Sequence, residues 1–268
     1  MANPYVSVVI LTLGDAPNVV RCLEKQTFQD FEIIFARENG IVYAMNKALE
    51  AARGEIFVRV DDDVEMPETW LEELLLPFED PAVAGATGPT FIPKERRKYR
   101  DSIRYAENPG WFLRWLYDNN EFNPGGIRKC GCVSYDSNFQ ERFKGVEMSV
   151  YRQADYLEGT NWAMRTKLIR GYSGGFDPKF DGVAEWFDTD VEAKVKKLGY
   201  RFIYNPKAYL FHLLGMGPAF DERFQGFGRI KNFLRYHWRH GRRRFLNVKL
   251  YLYLMIWGGY FVWKRFHR

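Results

Sequence analysis

The sequence predicts an α/β fold in which an open, mostly parallel β-sheet is flanked by helices. Short, nearly continuous β-branched runs alternate with segments of helical apolar spacing. Apolar runs without alternation are expected of strands that are covered on both faces. With 268 residues, 46% of them hydrophobic, the chain can form one large domain with an appendage or two small domains. A mean hydropathy of −0.39 argues against a polytopic membrane protein.

The first half of the chain contains three predicted strands, each followed by a predicted helix. The strands span 6–12, 31–35 and 56–60, and the helices span 18–26, 41–53 and 70–78. The third strand runs directly into Asp61-Asp62-Asp63. Because open α/β sheets bind their ligands at the carboxyl ends of the strands, these aspartates occupy a predicted binding edge.

The second half of the chain is less regular. Residues 92–150 hold charge clusters, Pro124-Gly125-Gly126 and aromatic residues without a clear period, so we expect a long excursion over the active-site face. Regular structure is predicted again over 154–165. A glycine-rich turn, a helix over 187–198 and a strand over 201–204 follow.

The aspartate run is the first candidate site. Adjacent carboxylates at a strand end repel one another unless a cation or a hydrogen-bond donor compensates. Asp61 and Asp63 can point to one side of a turn, and this arrangement predicts a site for Mg²⁺ or Mn²⁺. Such an ion binds the phosphates of a nucleotide and neutralises the charge that builds on a departing diphosphate. A solvated acidic turn or a helix cap is the alternative interpretation.

Several motifs of the chain resemble those of family 2 glycosyltransferases of the GT-A fold. In the first half they are Val6–Thr12, Gly40–Lys47, Ala52–Ile56 and Asp61–Asp63. In the second half they are Glu158–Arg165, Phe176–Pro178 with Glu185–Val191, and Tyr204–His212. All of them follow the order found in the family. The resemblance implies an inverting, metal-dependent glycosyltransferase of the hexosyltransferase type that uses a nucleotide-sugar donor.

The resemblance also implies roles for individual residues at the reacting centre. Asp61, Asp63 and His212 are expected to hold Mn²⁺ or Mg²⁺, and a core histidine is the alternative role for His212. Asp188 is the expected general base, because it lies at the start of a predicted helix that faces the carboxyl edge of the sheet. Glu185 is the rival base. Asp190 is expected to cap or orient the helix.

Other residues of the motifs are expected to contact the two substrates. The expected nucleotide-sugar contacts are Thr12, Leu13, Glu38, Asn46, Asp61 and Asp62. The expected acceptor-side residues are Gly159, Thr160, Asn161 and Trp186. The chain departs from the family at 35–40, where the acid that normally reads the nucleotide base is missing or replaced by Glu38. Arg37 is an alternative contact for a phosphate or a ribose.

The C-terminal part of the chain is basic and aromatic. Between 229 and 244, cationic residues are interleaved with aromatic and aliphatic ones, as in an amphipathic helix at the lipid headgroups. Residues 246–263 are nearly all apolar and lie at the lower limit for a bilayer span, so we expect an in-plane or shallowly inserted anchor. A full span, packing on the catalytic domain and a homodimer contact are the alternatives. No nucleic-acid recognition module accompanies these residues, and we expect no nucleic-acid partner.

These observations predict a GT-A catalytic domain over 1–215 and a membrane-associating tail over 216–268. The nucleotide-sugar half is expected at 1–91 and the acceptor half at 92–215, with a glycan or polyprenyl-linked glycan as acceptor. Three cysteines imply no disulfide framework, and the early first strand leaves no room for a signal peptide. We therefore expect the protein to be cytoplasmic and associated with the cytoplasmic face of a membrane. A sugar nucleotidyltransferase and a catalytically inactive GT-A adaptor remain alternative functions.

Overall fold

The computed structural model describes residues 3–93, 95–96, 111–116, 151–180, 185–214, 226–240 and 248–266. Most of the predicted excursion over 92–150 lies outside these residues, including Pro124-Gly125-Gly126 and the pair Cys130 and Cys132. The predicted boundary between 215 and 216 also lies outside them.

Seven strands form the main sheet, in the order β2-β1-β3-β8-β5-β9-β7. Strands β1, β2, β3, β5 and β9 run in one direction, and β8 and β7 run against them. The strands are β1 (Val6–Leu11), β2 (Phe31–Ala36), β3 (Ile56–Asp61), β4 (Val64–Glu65), β5 (Val83–Thr87), β6 (Thr90–Phe91), β7 (Arg152–Gln153), β8 (Asn161–Arg165), β9 (Arg201–Tyr204) and β10 (Leu210–His212). The predicted open, mostly parallel sheet is confirmed.

Helices flank this sheet. They are α1 (Pro17–Glu24), α2 (Ile41–Ala51), α3 (Trp70–Leu75), α4 (Trp111–Leu116), α5 (Thr166–Gly171), α6 (Phe187–Lys196), α7 (Gly226–His240) and α8 (Val248–Phe266). The helix predicted over 70–78 ends earlier, at Leu75, and continues as a 3₁₀ turn over Leu76–Glu79. Pro77 lies in that turn and has no backbone N–H with which to extend the α-helix.

The strands next to the aspartate run are buried on both faces. All six residues of β1 and the first five of β3 are buried. Val8 and Val58 share one core with α1 and α3, whereas Val9 and Phe57 share the opposite core with α2. Since helices cover both faces, the strands carry nearly continuous apolar runs rather than an alternating pattern.

A second sheet, with the strand order β4-β10-β6, begins directly after the aspartate run. Strand β10 runs antiparallel to β4 and places His212 opposite Val64. The backbone N–H of Leu213 donates to the carbonyl of Asp63 at 2.8 Å. This pairing brings His212 close to the aspartates, although the two segments are far apart in the sequence.

Helices α7 and α8 pack against the rest of the molecule. Phe233 and Tyr236 of α7 are buried in the same core as Leu250 and Tyr253 of α8 and the residues of α2 and α6. The ring of Trp186, just before α6, lies 5.4 Å from that of Phe233 and 4.7 Å from that of Tyr236. None of the described helices combines the length and the apolar character that crossing a bilayer requires.

Candidate active site

The three aspartates lie at the carboxyl end of β3, and each has defined surroundings. Asp61 accepts a hydrogen bond from Thr160 Oγ1 at 2.9 Å and an ion-pair contact from Arg59 Nη2 at 3.3 Å. Asp62 is the exposed member of the run and accepts a hydrogen bond from Thr12 Oγ1 at 2.6 Å. Asp61 and Asp63 are half-buried. Donors and a cation therefore compensate the repulsion between neighbouring carboxylates.

Asp61, Asp63 and His212 form a candidate metal centre. One ligand atom from each of the three side chains lies within 4.8 Å of the others. The Nε2 atom of His212 lies 3.0 Å from Asp63 Oδ1, and its buried Nδ1 has no hydrogen-bond partner among the described residues. Two carboxylates and an imidazole are suitable ligands for a divalent ion such as Mn²⁺, with further positions left for phosphate oxygens. The residues present thus fit the predicted ion.

Asp188 lies in the first turn of α6, on the other side of Arg59 from the aspartate run. Its Oδ2 lies 3.1 Å from Arg59 Nη1, and its Oδ1 accepts hydrogen bonds from Thr189 N at 2.8 Å and Thr189 Oγ1 at 3.3 Å. Burial raises the pKa of Asp188, while the charge of Arg59 and the bonds from Thr189 oppose that rise. The structure therefore brings the predicted base and the predicted metal ligands into one cluster.

Two buried charged residues of this cluster were not predicted from the sequence. Arg59 has a side chain only 10% exposed, and Glu192 is buried one turn after Asp188. Glu192 accepts hydrogen bonds from Trp162 Nε1 at 2.7 Å and Leu157 N at 3.1 Å. Burial, and then the charge of Asp188, raise the pKa of Glu192 well above its ordinary value. The sequence did contain a signal for each residue. Arg59 interrupts an otherwise apolar strand, and Glu192 follows the predicted base by four residues, which is one helical turn.

The four predicted acceptor-side residues have different surroundings. Thr160 bonds to Asp61, and a Cβ at Gly159 would lie 2.9 Å from Asp188 Oδ2, so both residues line the cluster. Asn161 is fully buried and joins core elements, accepting from Trp70 Nε1 at 3.0 Å. Trp186 is buried against α7. The structure thus brings Gly159 and Thr160 to the site and uses Asn161 and Trp186 in packing.

The predicted nucleotide-sugar residues divide in the same way. Thr12 lies at the aspartate run, and Leu13 and Glu38 are exposed near the ends of β1 and β2. The side-chain amide of Asn46 donates to Phe176 O at 2.8 Å and accepts from Phe176 N at 2.9 Å, so it fixes the backbone there.

Arg37, the alternative phosphate contact, donates to Asp15 and to Gly14 O, both at 3.0 Å. Glu185, the rival base, is half-buried just before α6.

Asp190 anchors α6 to α7. Its carboxylate is fully buried and lies 2.8 Å from His240 Nε2, 2.8 Å from Lys194 Nζ and 3.3 Å from Arg239 Nη1. Burial alone would raise the pKa of Asp190, but the bonds from His240 and Lys194 outweigh it and lower the pKa to about 2. The pair of helices therefore gains stability at neutral pH that is lost as the pH falls towards 2.

The mostly parallel sheet carries an acidic pair and a histidine at its carboxyl edge, as expected for the GT-A fold. Residues 15–136 match the family model described as glycosyl transferase family 2. The resemblance of the chain to family 2 glycosyltransferases of the GT-A fold is therefore confirmed. A search of curated protein sequences gave no match.

Two solved structures have a similar fold. One is the mannosyltransferase PcManGT from Pyrobaculum calidifontis in complex with GDP-Man and Mn²⁺, with 17% identity, a TM-score of 0.52 and coverage of 90% of this chain and 65% of that one. The other is GalNAc-T7 with UDP, GalNAc and Mn²⁺, with 13% identity, a TM-score of 0.58 and coverage of 88% and 48%. This chain thus spans less than two thirds of either relative, and at these identities the likeness concerns the fold.

Proposed function

We propose that the protein is an inverting glycosyltransferase that moves a sugar from a nucleotide-sugar donor to a hydroxyl of a glycan or lipid-linked glycan. The observation that carries this proposal is the set of three metal-type ligands within 4.8 Å, linked through Arg59 to the half-buried carboxylate of Asp188. The complexes of the two structural relatives, with GDP-Man and with UDP and GalNAc, each with Mn²⁺, support a nucleotide-sugar donor.

In the proposed reaction, each residue of the cluster has one task. Asp61, Asp63 and His212 would hold Mn²⁺ or Mg²⁺, and the bound ion supplies charge neutralisation for the departing diphosphate. The carboxylate of Asp188 takes the proton of the acceptor hydroxyl, while the hydroxyl oxygen bonds to the anomeric carbon of the donor sugar. The bond from that carbon to the diphosphate breaks on the opposite face, which inverts the configuration. Thr160 keeps Asp61 in position.

A thermal-shift screen of UDP-, GDP- and dTDP-linked sugars, with Mn²⁺ or with a chelator, tests the donor class. Ligand at about a hundred times its Kd stabilises the folded state by about 2.7 kcal/mol. We therefore expect one nucleotide class to raise Tm by roughly 5–10 °C in Mn²⁺, and by much less in the chelator. If no nucleotide sugar stabilises the protein with Mn²⁺ present, the inactive adaptor is favoured. Release of pyrophosphate, instead of nucleoside diphosphate, would indicate a nucleotidyltransferase.

We also propose that the outer surface of α7 and α8 binds anionic lipid. On α8, Val248, Tyr251, Met255, Val262 and Phe266 are exposed at helical spacing, so they share one face. Trp238 of α7 is 82% exposed. Neither helix contains an acidic residue, and both carry lysine and arginine. Exposed aromatic side chains on a basic helix suit an anionic headgroup layer, such as the cytoplasmic leaflet.

Cosedimentation with vesicles tests this lipid surface. We expect binding to vesicles that contain phosphatidylglycerol, weaker binding in high salt and little binding to pure phosphatidylcholine. Trp238→Ser and Met255→Ser should each weaken binding by about tenfold, because an apolar side chain no longer enters the lipid. Tyr172→Ser, at an exposed aromatic position after α5, is the matched control and should have no effect. A dimer that both variants dissociate, with no vesicle binding by the wild type, would assign the surface to self-association.

A further inference from the structure

We propose that Arg59 is a positioning residue that holds the carboxylate of Asp188 aimed into the site and in its charged form. The inference rests on the proposed function only in naming Asp188 as the base. Arg59 lies in β3, two residues before the metal-type ligand Asp61. Because side chains alternate between the faces of a strand, both side chains lie on the same face.

The guanidinium of Arg59 bridges the two halves of the cluster. Nη1 lies 3.1 Å from Asp188 Oδ2, and Nη2 lies 3.3 Å from Asp61 Oδ1. The carbon of the guanidinium lies 5.3 Å from the centroid of the Phe187 ring, and Nε has no partner among the described residues. A cation with only 10% of its side chain exposed is costly to bury unless it is paired. The carboxylates of Asp61 and Asp188 form the ion pairs that compensate this burial.

Both oxygens of Asp188 are fixed from different elements. Thr189 holds Oδ1 from α6, and Arg59 holds Oδ2 from β3. The loop before β8 closes over this ion pair, because a Cβ at Gly159 would lie 2.9 Å from Asp188 Oδ2 and 3.2 Å from Arg59 Nη1. The orientation of the carboxylate therefore depends on a strand residue far away in the sequence, and not on the helix alone.

Besides orienting the carboxylate of Asp188, the positive charge of Arg59 acts on the protonation of that carboxylate. From β3, Arg59 faces Asp188 with a positive charge, and from α6 itself Glu192 approaches with a second buried carboxyl. Asp61 lies beyond the guanidinium, and Lys196 acts on Glu192. Burial raises the pKa of Asp188 and of Glu192, and the positive charge of Arg59 opposes that rise at Asp188. Arg59 thus favours the charged form of the Asp188 carboxylate.

A direct titration tests this inference without any need for turnover. The full-length protein is labelled at the side-chain carboxyl carbon of aspartate, and the NMR signal of Asp188 is assigned by its loss in Asp188→Asn. Arg59→Met and Arg59→Gln remove the charge and should raise the titration midpoint of that signal by about one pH unit or more. Arg59→Lys should stay near the wild-type midpoint. Arg53→Met, which removes an arginine paired with Glu32 at the surface, is the control.

Steady-state kinetics at saturating Mn²⁺ separate positioning from metal binding. We expect Arg59→Met to lower kcat by tenfold or more and to change the KM for the donor by less than threefold, with most of kcat recovered in Arg59→Lys. A midpoint that does not move in either neutral variant overturns the inference. So does a loss of activity that excess Mn²⁺ restores, because Arg59 would then serve the metal ligands. If the wild type releases no nucleoside diphosphate, the proposed function fails, and the titration still decides the role of Arg59.

Discussion

Replacing Asp63 by alanine is expected to lower metal-dependent release of nucleoside diphosphate by about 10²-fold or more. Asp63 supplies one of three ligand atoms that lie within 4.8 Å, and its loss leaves Asp61 and His212. Two ligands hold a divalent ion weakly, and the negative charge on the departing diphosphate is then no longer neutralised. Release of nucleoside diphosphate across a Mn²⁺ titration measures the effect, and the electron paramagnetic resonance signal of free Mn²⁺ measures affinity independently of turnover.

Glu65→Ala is the matched control for this experiment. Glu65 is an exposed carboxylate two residues after Asp63, on β4, and its removal changes the local charge by the same amount. We expect Glu65→Ala to keep Mn²⁺ affinity and turnover close to those of the wild type. If Asp63→Ala also bound Mn²⁺ and turned over normally, the assignment of the metal centre would be wrong.

Asp188→Asn is expected to lower kcat by about 10²–10⁴-fold, because an amide does not accept the proton of the acceptor hydroxyl. The amide keeps the shape of the carboxylate, so the nucleotide sugar should still raise Tm in the presence of Mn²⁺. In the wild type, kcat should fall on the acid side of the pH profile. Since burial raises the pKa of Asp188, that fall should begin at a higher pH than for an ordinary aspartate.

Glu185→Gln tests the rival assignment in parallel. Glu185 is half-buried and lies three residues before Asp188, so the two variants change neighbouring acids in the same segment. A loss confined to Asp188→Asn supports Asp188 as the base. A larger loss in Glu185→Gln, with Asp188→Asn close to wild type, would transfer the role to Glu185.

The strands and helices beside the site could be predicted because their signals are local. Strands β1 and β3 are covered on both faces, and their sequences show this burial as nearly continuous apolar runs. Helix α6 was predicted over 187–198 and is found at Phe187–Lys196. The antiparallel insertion of β8 between β3 and β5 was not predicted, since the neighbour of a strand depends on contacts between distant segments.

The chemical surroundings of the site were harder to predict than its position. Asp61, Asp63, His212 and Asp188 came from motifs that resemble a family, and the structure brings them into one cluster through Arg59. Motifs do not tell which polar side chains serve packing. The side chain of Asn161 accepts a hydrogen bond from Trp70 and donates one to the carbonyl of Ala208. The sequence pattern alone could not reveal these contacts.

The backbone conformation of Trp186 bears on how far the chain can be shortened from its C-terminal side. Its φ of 71° places a bulky residue in the left-handed region, a conformation that costs about 1–3 kcal/mol unless the surroundings enforce it. Its ring contacts with Phe233, Tyr236 and His237 of α7 provide that enforcement, two residues before Asp188. A fragment cut after the last strand would lose these rings and free the backbone that leads into Asp188. Helix α7 is therefore part of the smallest unit in which we expect the geometry around Asp188 to persist.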